Sequence, residues 1–452
     1  MTTEEQVAAK PLEMRGVWWL NPAVAFGIPA IVAGFIAYST DSTAYLNLWR
    51  TAKHFDFSCL QLLLAVALVF TCGCLLGGAR RREANLAPAV DWTQTIRWDA
   101  VRLLFRISFV LTVVAYIIWY ALAIKHGLSL SVILDLLQGR SHSDNDFGGE
   151  HLTTIPGVTT ATQFGLTVVT LAVPLGIVSG WRTVKWQCLT VFALALTRSF
   201  LDQERLAFIE LVVPLVVSFL GFRTMSKRLR VLTQFGPVIG GVFLYLGFSL
   251  AEYFRSWSRF YAVSESNFWS FMAIRLAGYY TTALNNGALL WKVSQPLSAG
   301  LPMSTLGFLW HFPILKNVLA TAFPSLSFPE ELAETHYGDL LATSANPELN
   351  NPSGIFAPFV DYGVAGGLLC WLLAGLICGF LYKEFKRRSV AGIFLYPAIY
   401  IGLIEATRIL YWASGRFFPD IFVLVVGVLL LFRRPGAPLV CRLSLDPDTT
   451  PG

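Results

Sequence analysis

Five arginines occupy positions where an apolar chain has little structural reason to keep a charge. Arg198 and Arg205 bracket the string RSFLDQER, and Arg275 sits in NFWSFMAIRLAGYYTTALNNGALLWK, a mixed stretch of apolar and aromatic residues. Arg408 and Arg416 bracket RILYWASGR. A guanidinium is a rigid fork of donors that matches the oxygens of a phosphate two at a time. Brought to one depth, these side chains would make a cationic site for phosphate. Taken singly, each is equally well explained by snorkelling to lipid headgroups or by a local partner such as Asp202, Glu204 or Glu405. As a set drawn from three distant regions they favour function, because ionisable groups in membranes tend to mark functional sites.

A second string, NNPSGIFAPFVDYG from Asn350 to Gly363, runs directly into a glycine-rich apolar segment. It brings Asn351 and the carboxylate of Asp361 to the mouth of that segment. Asp361 can cap the helix and complement its dipole, or accept a proton in catalysis; both readings stand on the sequence. Gly363, Gly366, Gly367, Gly375 and Gly379 are expected to let helices pack closely. The six histidines show no helical i, i+4 pair, so no metal site is expected, and no nucleotide or cofactor fingerprint appears. Trp257, Trp269, Tyr279, Tyr280, Trp291 and Trp310 could stack on sugar rings, although aromatic belts at membrane interfaces account for most of them.

The elements that must position these groups follow from composition. Of 452 residues, 55% are hydrophobic and 14% charged, and mean hydropathy is +0.58; that is too little polar surface to cover a water-soluble globule. The net charge of +6 is spread in short basic clusters between apolar runs, which does not make a nucleic-acid face. Apolar runs long enough to cross a bilayer lie near 20–38, 59–79, 103–124, 161–180, 186–200, 206–222, 231–250, 359–382, 390–407 and 417–432. The expected fold is therefore an all-α polytopic integral membrane protein of about ten transmembrane helices with a large, partly helical periplasmic loop. The run at 186–200 is short and could form a re-entrant pair with 206–222.

With the N-terminus in the cytoplasm, Arg80–Arg82, Arg182 with Lys185, Arg223–Arg230, Lys383–Arg388 and Arg433–Arg434 all fall inside, in agreement with the positive-inside rule. That orientation divides the chain into a cytoplasmic segment 1–19, about seven spans over 20–250, a periplasmic loop 251–358, about three spans over 359–432 and a cytoplasmic tail 433–452. Within the loop, Asn267–Lys292 reads as an interfacial or re-entrant helix. The tail from Leu443 reads as disordered, and the seven cysteines read as buried thiols.

The order of these features resembles the bacterial oligosaccharide repeat unit polymerases, the Wzy-type O-antigen and exopolysaccharide enzymes. The resemblance rests on the R-S-x-x-x-x-x-R element between two spans, a large outer loop with Arg275 and Asn285–Asn286, N-N-P-S-G-x-F, D-Y-G opening a glycine-rich span, and the basic turn KEFKRR. D-Y-G stands where D-F-G is common in that family, and RSFLDQER is richer in acidic residues. The resemblance implies a metal-independent glycosyltransferase of the bacterial inner membrane that needs no cofactor. Its implied substrates are undecaprenyl-pyrophosphate-linked oligosaccharides, with membrane lipid, a chain-length regulator and a flippase as partners. Arg198, Arg205, Arg275 and Arg408 would bind pyrophosphate, Asn351 and Tyr411 would line the substrate site, and Asp361 would act as base or orient the acceptor. An O-antigen ligase using His311 or His336, and a lipid-linked sugar flippase or transporter, are the alternatives.

Overall fold

The computed structural model describes residues 17–79, 90–91, 95–129, 131, 157–201, 206–222, 227–253, 257, 267–294, 302–311, 313–324, 336–433 and 443–444. Their regular elements are helices, apart from a two-residue parallel pair between Val90–Asp91 (β1) and Leu443–Ser444 (β2) and an isolated antiparallel bridge between Ile96 and Arg433. The pair corrects the reading of the tail from Leu443 as wholly disordered, since two backbone segments far apart in sequence find each other there.

In chain order the helices are α1 (Pro22–Ser39), α2 (Ser42–Trp49), α3 (Phe57–Ala79), α4 (Trp98–Lys125), α5 (Val158–Thr162), α6 (Gly165–Ser179), α7 (Lys185–Leu201), α8 (Leu206–Phe222), α9 (Lys227–Gln234), α10 (Gly236–Glu252), α11 (Phe268–Val293), α12 (Met303–His311), α13 (Pro313–Ala322), α14 (His336–Ser344), α15 (Ala357–Lys386), α16 (Val390–Glu405) and α17 (Phe417–Val426). The apolar runs read from the sequence fall on these helices, with 161–180 divided between α5 and α6, 231–250 between α9 and α10, and 417–432 continuing past α17. Five segments are long and apolar enough to cross a membrane: α1, α3, α4, α15 and the stretch Val158–Ser179 that joins α5 to α6. Four shorter apolar helices accompany them, at Leu206–Phe222, Gly236–Leu250, Val390–Glu405 and Phe417–Leu431.

Side-chain exposure identifies the solvent. Leu68, Leu75, Leu103, Ile117, Phe243 and Leu430 all point outward with more than half of their surface uncovered. A belt of this kind is unfavourable against water and neutral against lipid tails, so the chain is membrane-embedded. Inside the bundle, α6 and α16 are buried on nearly every side and are mainly apolar as well. α16 packs against α1, α6, α8, α15 and α17, and forms the axis of the fold.

The tightest packing joins α3 to α15. A Cβ at Gly73 or Gly375 would strike the backbone of the facing helix at Leu372 or Phe70, and one at Gly379 would strike Cys74. Contacts advance together along both chains, so the two helices run parallel, backbone against backbone. Phe26, Phe70 and Trp371 close the seam, with ring centroids 4.4 to 6.0 Å apart. The Trp371 indole donates to the Ile355 carbonyl at 3.1 Å and ties the seam to the NNPSG loop.

Gly363 does something different from the close packing expected of it. Its φ of 69° and ψ of −174° break α15 into a short segment, 357–362, and the long apolar helix that follows. That backbone region is essentially restricted to glycine. The D-Y-G string therefore marks a break in direction at the entrance of a span.

Candidate functional site

The ends of several helices leave a cavity of about 610 Å³ at one end of the bundle. Its wall includes Arg408, Tyr411 and Arg416 from the turn after α16, Glu348, Asn350 and Asn351 from the loop before α15, Thr159 and Thr160 of α5, Leu206 at the start of α8, and Tyr279 of α11. Regions about 250 residues apart meet here, and both polar and apolar atoms face the space.

The wall is assembled from α11 outward. Asn267 caps this helix by accepting from the N–H groups of Trp269 and Ser270. From Thr281 to Leu290 every residue is buried, so protein covers the second half of this helix, while Trp269 and Ile274 of its first half are exposed. The tandem Asn285–Asn286 explains why polar residues belong in so buried a segment. Asn285 accepts from the N–H groups of His54 and Phe55 and donates to Ala52 O at 2.8 Å. Asn286 donates to both Leu349 O and Asn351 O at 3.0 Å. Two loops are thereby held to one helix by side-chain amides, which satisfy backbone groups that lipid could not.

Close approach completes the join. A Cβ at Gly287 would lie 2.8 Å from Pro352 O, and one at Gly354 would lie 2.5 Å from the backbone of Ile409. Ser353 donates its N–H to Arg408 O at 3.0 Å. The NNPSG string is thus the strip that holds Asn351 beside Arg408, and both line the cavity.

The charges are distributed in two layers. In the wall, Arg408 donates to Glu405 at 2.7 Å, and although burial works against its charge, Glu405 and then Tyr280 outweigh it and hold the guanidinium above its ordinary pKa. Glu348 forms an ion pair with Arg275. Behind the wall, Arg275 is 7% exposed and is also paired with the fully buried Glu252. Arg198 is 1% exposed; it donates to Thr162 at 2.8 Å and lies 5.8 Å from the centre of the Trp119 ring. Arg198 thus braces α5, whose Thr159 and Thr160 face the cavity. Arg205 lies outside the described residues, as do Asp202 and Glu204.

Of the residues singled out in the sequence, Arg408, Asn351 and Tyr411 line the cavity, together with Arg416. Arg275 and Arg198 stand behind it. Asp361 does not line it. One carboxylate oxygen of Asp361 accepts from Ser304 N at 3.2 Å, and the other accepts from Thr305 N at 2.8 Å and Thr305 Oγ1 at 2.6 Å. It caps α12, a helix other than its own, and fixes it near the cavity, where Phe308 of α12 stacks on Phe418 at 4.4 Å.

Three carboxylates escaped the sequence reading. Glu348 stands in a single 3-10 turn, Pro347–Leu349, with no local signature of function. Glu210 and Asp420 are lone acids in the apolar strings LAFIELVV and FFPDIFVL, the pattern that marks a functional ionisable group within a membrane. Among the described residues no three His, Cys, Asp or Glu side chains gather as a metal site would require. The side chains of His311 and His336 lie outside the described residues. No protein-family model, curated protein or solved structure matches the chain.

Proposed function

We propose that the protein is a lipid-linked oligosaccharide polymerase, a glycosyltransferase of the bacterial inner membrane. It joins undecaprenyl-pyrophosphate-linked repeat units into O-antigen, capsular polysaccharide or exopolysaccharide at the periplasmic face, with both termini in the cytoplasm. The observation that carries this reading is the cavity with Arg408 and Arg416 in its wall, set at the ends of apolar helices. That is the depth at which the pyrophosphate of a lipid carrier lies while its polyprenyl tail stays among lipids.

In the proposed reaction the pyrophosphate of the growing chain binds Arg408 and Arg416 by charge-assisted hydrogen bonds. The sugars extend towards Asn350, Asn351, Glu348 and Tyr279, which offer hydrogen bonds and an aromatic face. A hydroxyl of the incoming repeat unit attacks the anomeric carbon, and the arginines stabilise the departing pyrophosphate. Arg275 keeps Glu348 in place, Arg198 keeps α5 in place, and Asp361 keeps α12 over the site.

The test is chain extension in proteoliposomes with lipid-linked repeat unit purified from a strain lacking this gene. Wild-type protein is expected to lengthen the glycan. Arg416→Ala is expected to weaken binding of undecaprenyl pyrophosphate roughly 10- to 100-fold, the loss of a charged hydrogen bond, with normal expression. Absence of any chain growth by the wild-type protein overturns the proposal.

A further inference from the structure

The reaction needs a group that takes the proton of the attacking hydroxyl, and the cavity wall offers few. Glu348 is held by Arg275, and the carboxylate of Asp361 is engaged by α12 away from the cavity. Tyr411 lines the cavity, and behind it the Glu210 side chain adjoins its phenol. Glu210 is 1% exposed, and neither of its oxygens meets hydrogen-bond geometry with a partner among the described residues. A buried carboxylate left without a fixed donor is an exception that calls for a role.

We infer that Tyr411 and Glu210 form a proton relay leading from the cavity into the apolar bundle, with Tyr411 touching the acceptor hydroxyl and Glu210 acting through it. The inference rests on the polymerase reading of the cavity. As the acceptor oxygen bonds to the anomeric carbon, the bond from that carbon to the pyrophosphate oxygen breaks, and the pyrophosphate leaves with the electron pair. The acceptor's proton passes to the Tyr411 oxygen while the Tyr411 proton passes to Glu210, so the phenol ends the step neutral. The proton leaves by the reverse path to the departing phosphate or to water.

The surroundings suit this traffic. Burial, followed by the carboxylates of Glu210 and Asp420, pushes the Tyr411 hydroxyl well above its ordinary range, so the phenol keeps its proton between turnovers. The titratable groups facing Glu210 are Tyr411, Arg198 of α7, Asp420 of α17, Glu405 of α16 and Tyr116 of α4. Asp420 is itself anchored, accepting from Thr167 Oγ1 at 2.6 Å and Thr167 N at 3.2 Å. Arg198 supplies a positive charge that acts on Glu210. One oxygen of Asp420 is tied to Thr167, whereas neither oxygen of Glu210 meets hydrogen-bond geometry with a protein donor among the described residues, so Glu210 is the acid better placed to change protonation.

The test compares wild-type, E210Q, E210D and Y411F proteins in the proteoliposome assay across about pH 5.5 to 9, with binding of undecaprenyl pyrophosphate measured on the same preparations. E210Q is expected to slow chain growth by roughly 10²- to 10⁴-fold, the share of a general base, with binding unchanged and the acidic limb of the pH profile lost. E210D is expected to recover part of the rate, and Y411F to behave as E210Q does. If E210Q extends chains at the wild-type rate with the wild-type profile, the relay is overturned and the polymerase reading stands. If E210Q loses binding in step with rate and E210D recovers neither, Glu210 is only structural and the relay is again overturned. If the wild-type protein extends no chains, both fall together.

Discussion

Arg275 and Arg416 carry the same charge towards the same corner of the molecule and are held there differently. Arg416 lies in the cavity wall, whereas Arg275 is buried between Glu252 and Glu348. Removing one member of a buried pair leaves the other charged and unsolvated, a loss of about 3–5 kcal/mol. Arg275→Ala is therefore expected to lose folded protein, seen as an early melt in detergent; a wild-type melt for this variant would refute it. His54 offers a pH-dependent case. Burial, and then the Lys292 ammonium, lower its pKa below the usual 6.5, so the folded state favours the neutral ring. Stability from this site is complete above the unfolded value and is lost as pH falls from there through the folded value. Wild-type protein should lose more melting temperature than His54→Gln between about pH 7.5 and about pH 5.5. Legibility at this scale was uneven. Arg408, Asn351 and Tyr411 were found because an arginine or a proline-glycine turn stands out in an apolar chain, whereas Glu348 is an acid in a polar loop and looks like many others until Arg275 is placed beside it.

Helix caps and side-chain staples decide where the elements end and what they touch. Asp361 was expected at a helix N-terminus, and it is near one, but the N–H groups it satisfies belong to α12, about 57 residues earlier. Sequence periodicity can place a capping residue; it carries no information on which helix receives the cap. Asp361→Ala frees two N–H donors and should weaken α12 by about 1 kcal/mol. Hydrogen exchange over residues 303–311 should then quicken about fivefold, the same free energy expressed as an opening equilibrium. Unchanged exchange would show that α12 is held by its aromatic contacts alone. The Asn285–Asn286 tandem teaches the same lesson. Its polarity inside an apolar helix was visible, and its use as a double staple for the 52–55 and 349–351 loops required both loops to be folded around it.

At the scale of the whole molecule, the apolar runs and the basic clusters between them made the helices readable, because lipid imposes length and composition more strictly than water does. The long segment 251–358 was legible only as something that must hold structure: its helices are shaped by contacts with α1, α2 and α15, and no local period encodes those. The orientation inferred from charge makes a concrete prediction. Thr43, before the α2–α3 turn, and Lys386, at the end of α15, are exposed at opposite ends of the bundle. In a cysteine-free background, Thr43→Cys should react with an impermeant maleimide in intact spheroplasts, and Lys386→Cys only after the membrane is opened. Labelling in the opposite order would invert the topology and move the cavity to the cytoplasmic face.

The glycine seam between α3 and α15 has a mechanical corollary. Where two backbones touch, no side chain remains whose rotation could take up a displacement, so the pair can move only as a single strut. On the proposed polymerase reading, loading and releasing a polymer that lengthens at every cycle requires some part of the wall to yield. The NNPSG strip is tied to the strut through Trp371 and to α11 through Asn286, so it is anchored twice. The side of the cavity not tied to the strut is formed by α5, which Arg198 braces, and the first turn of α8; on the proposed polymerase reading a growing chain would leave past those two helices.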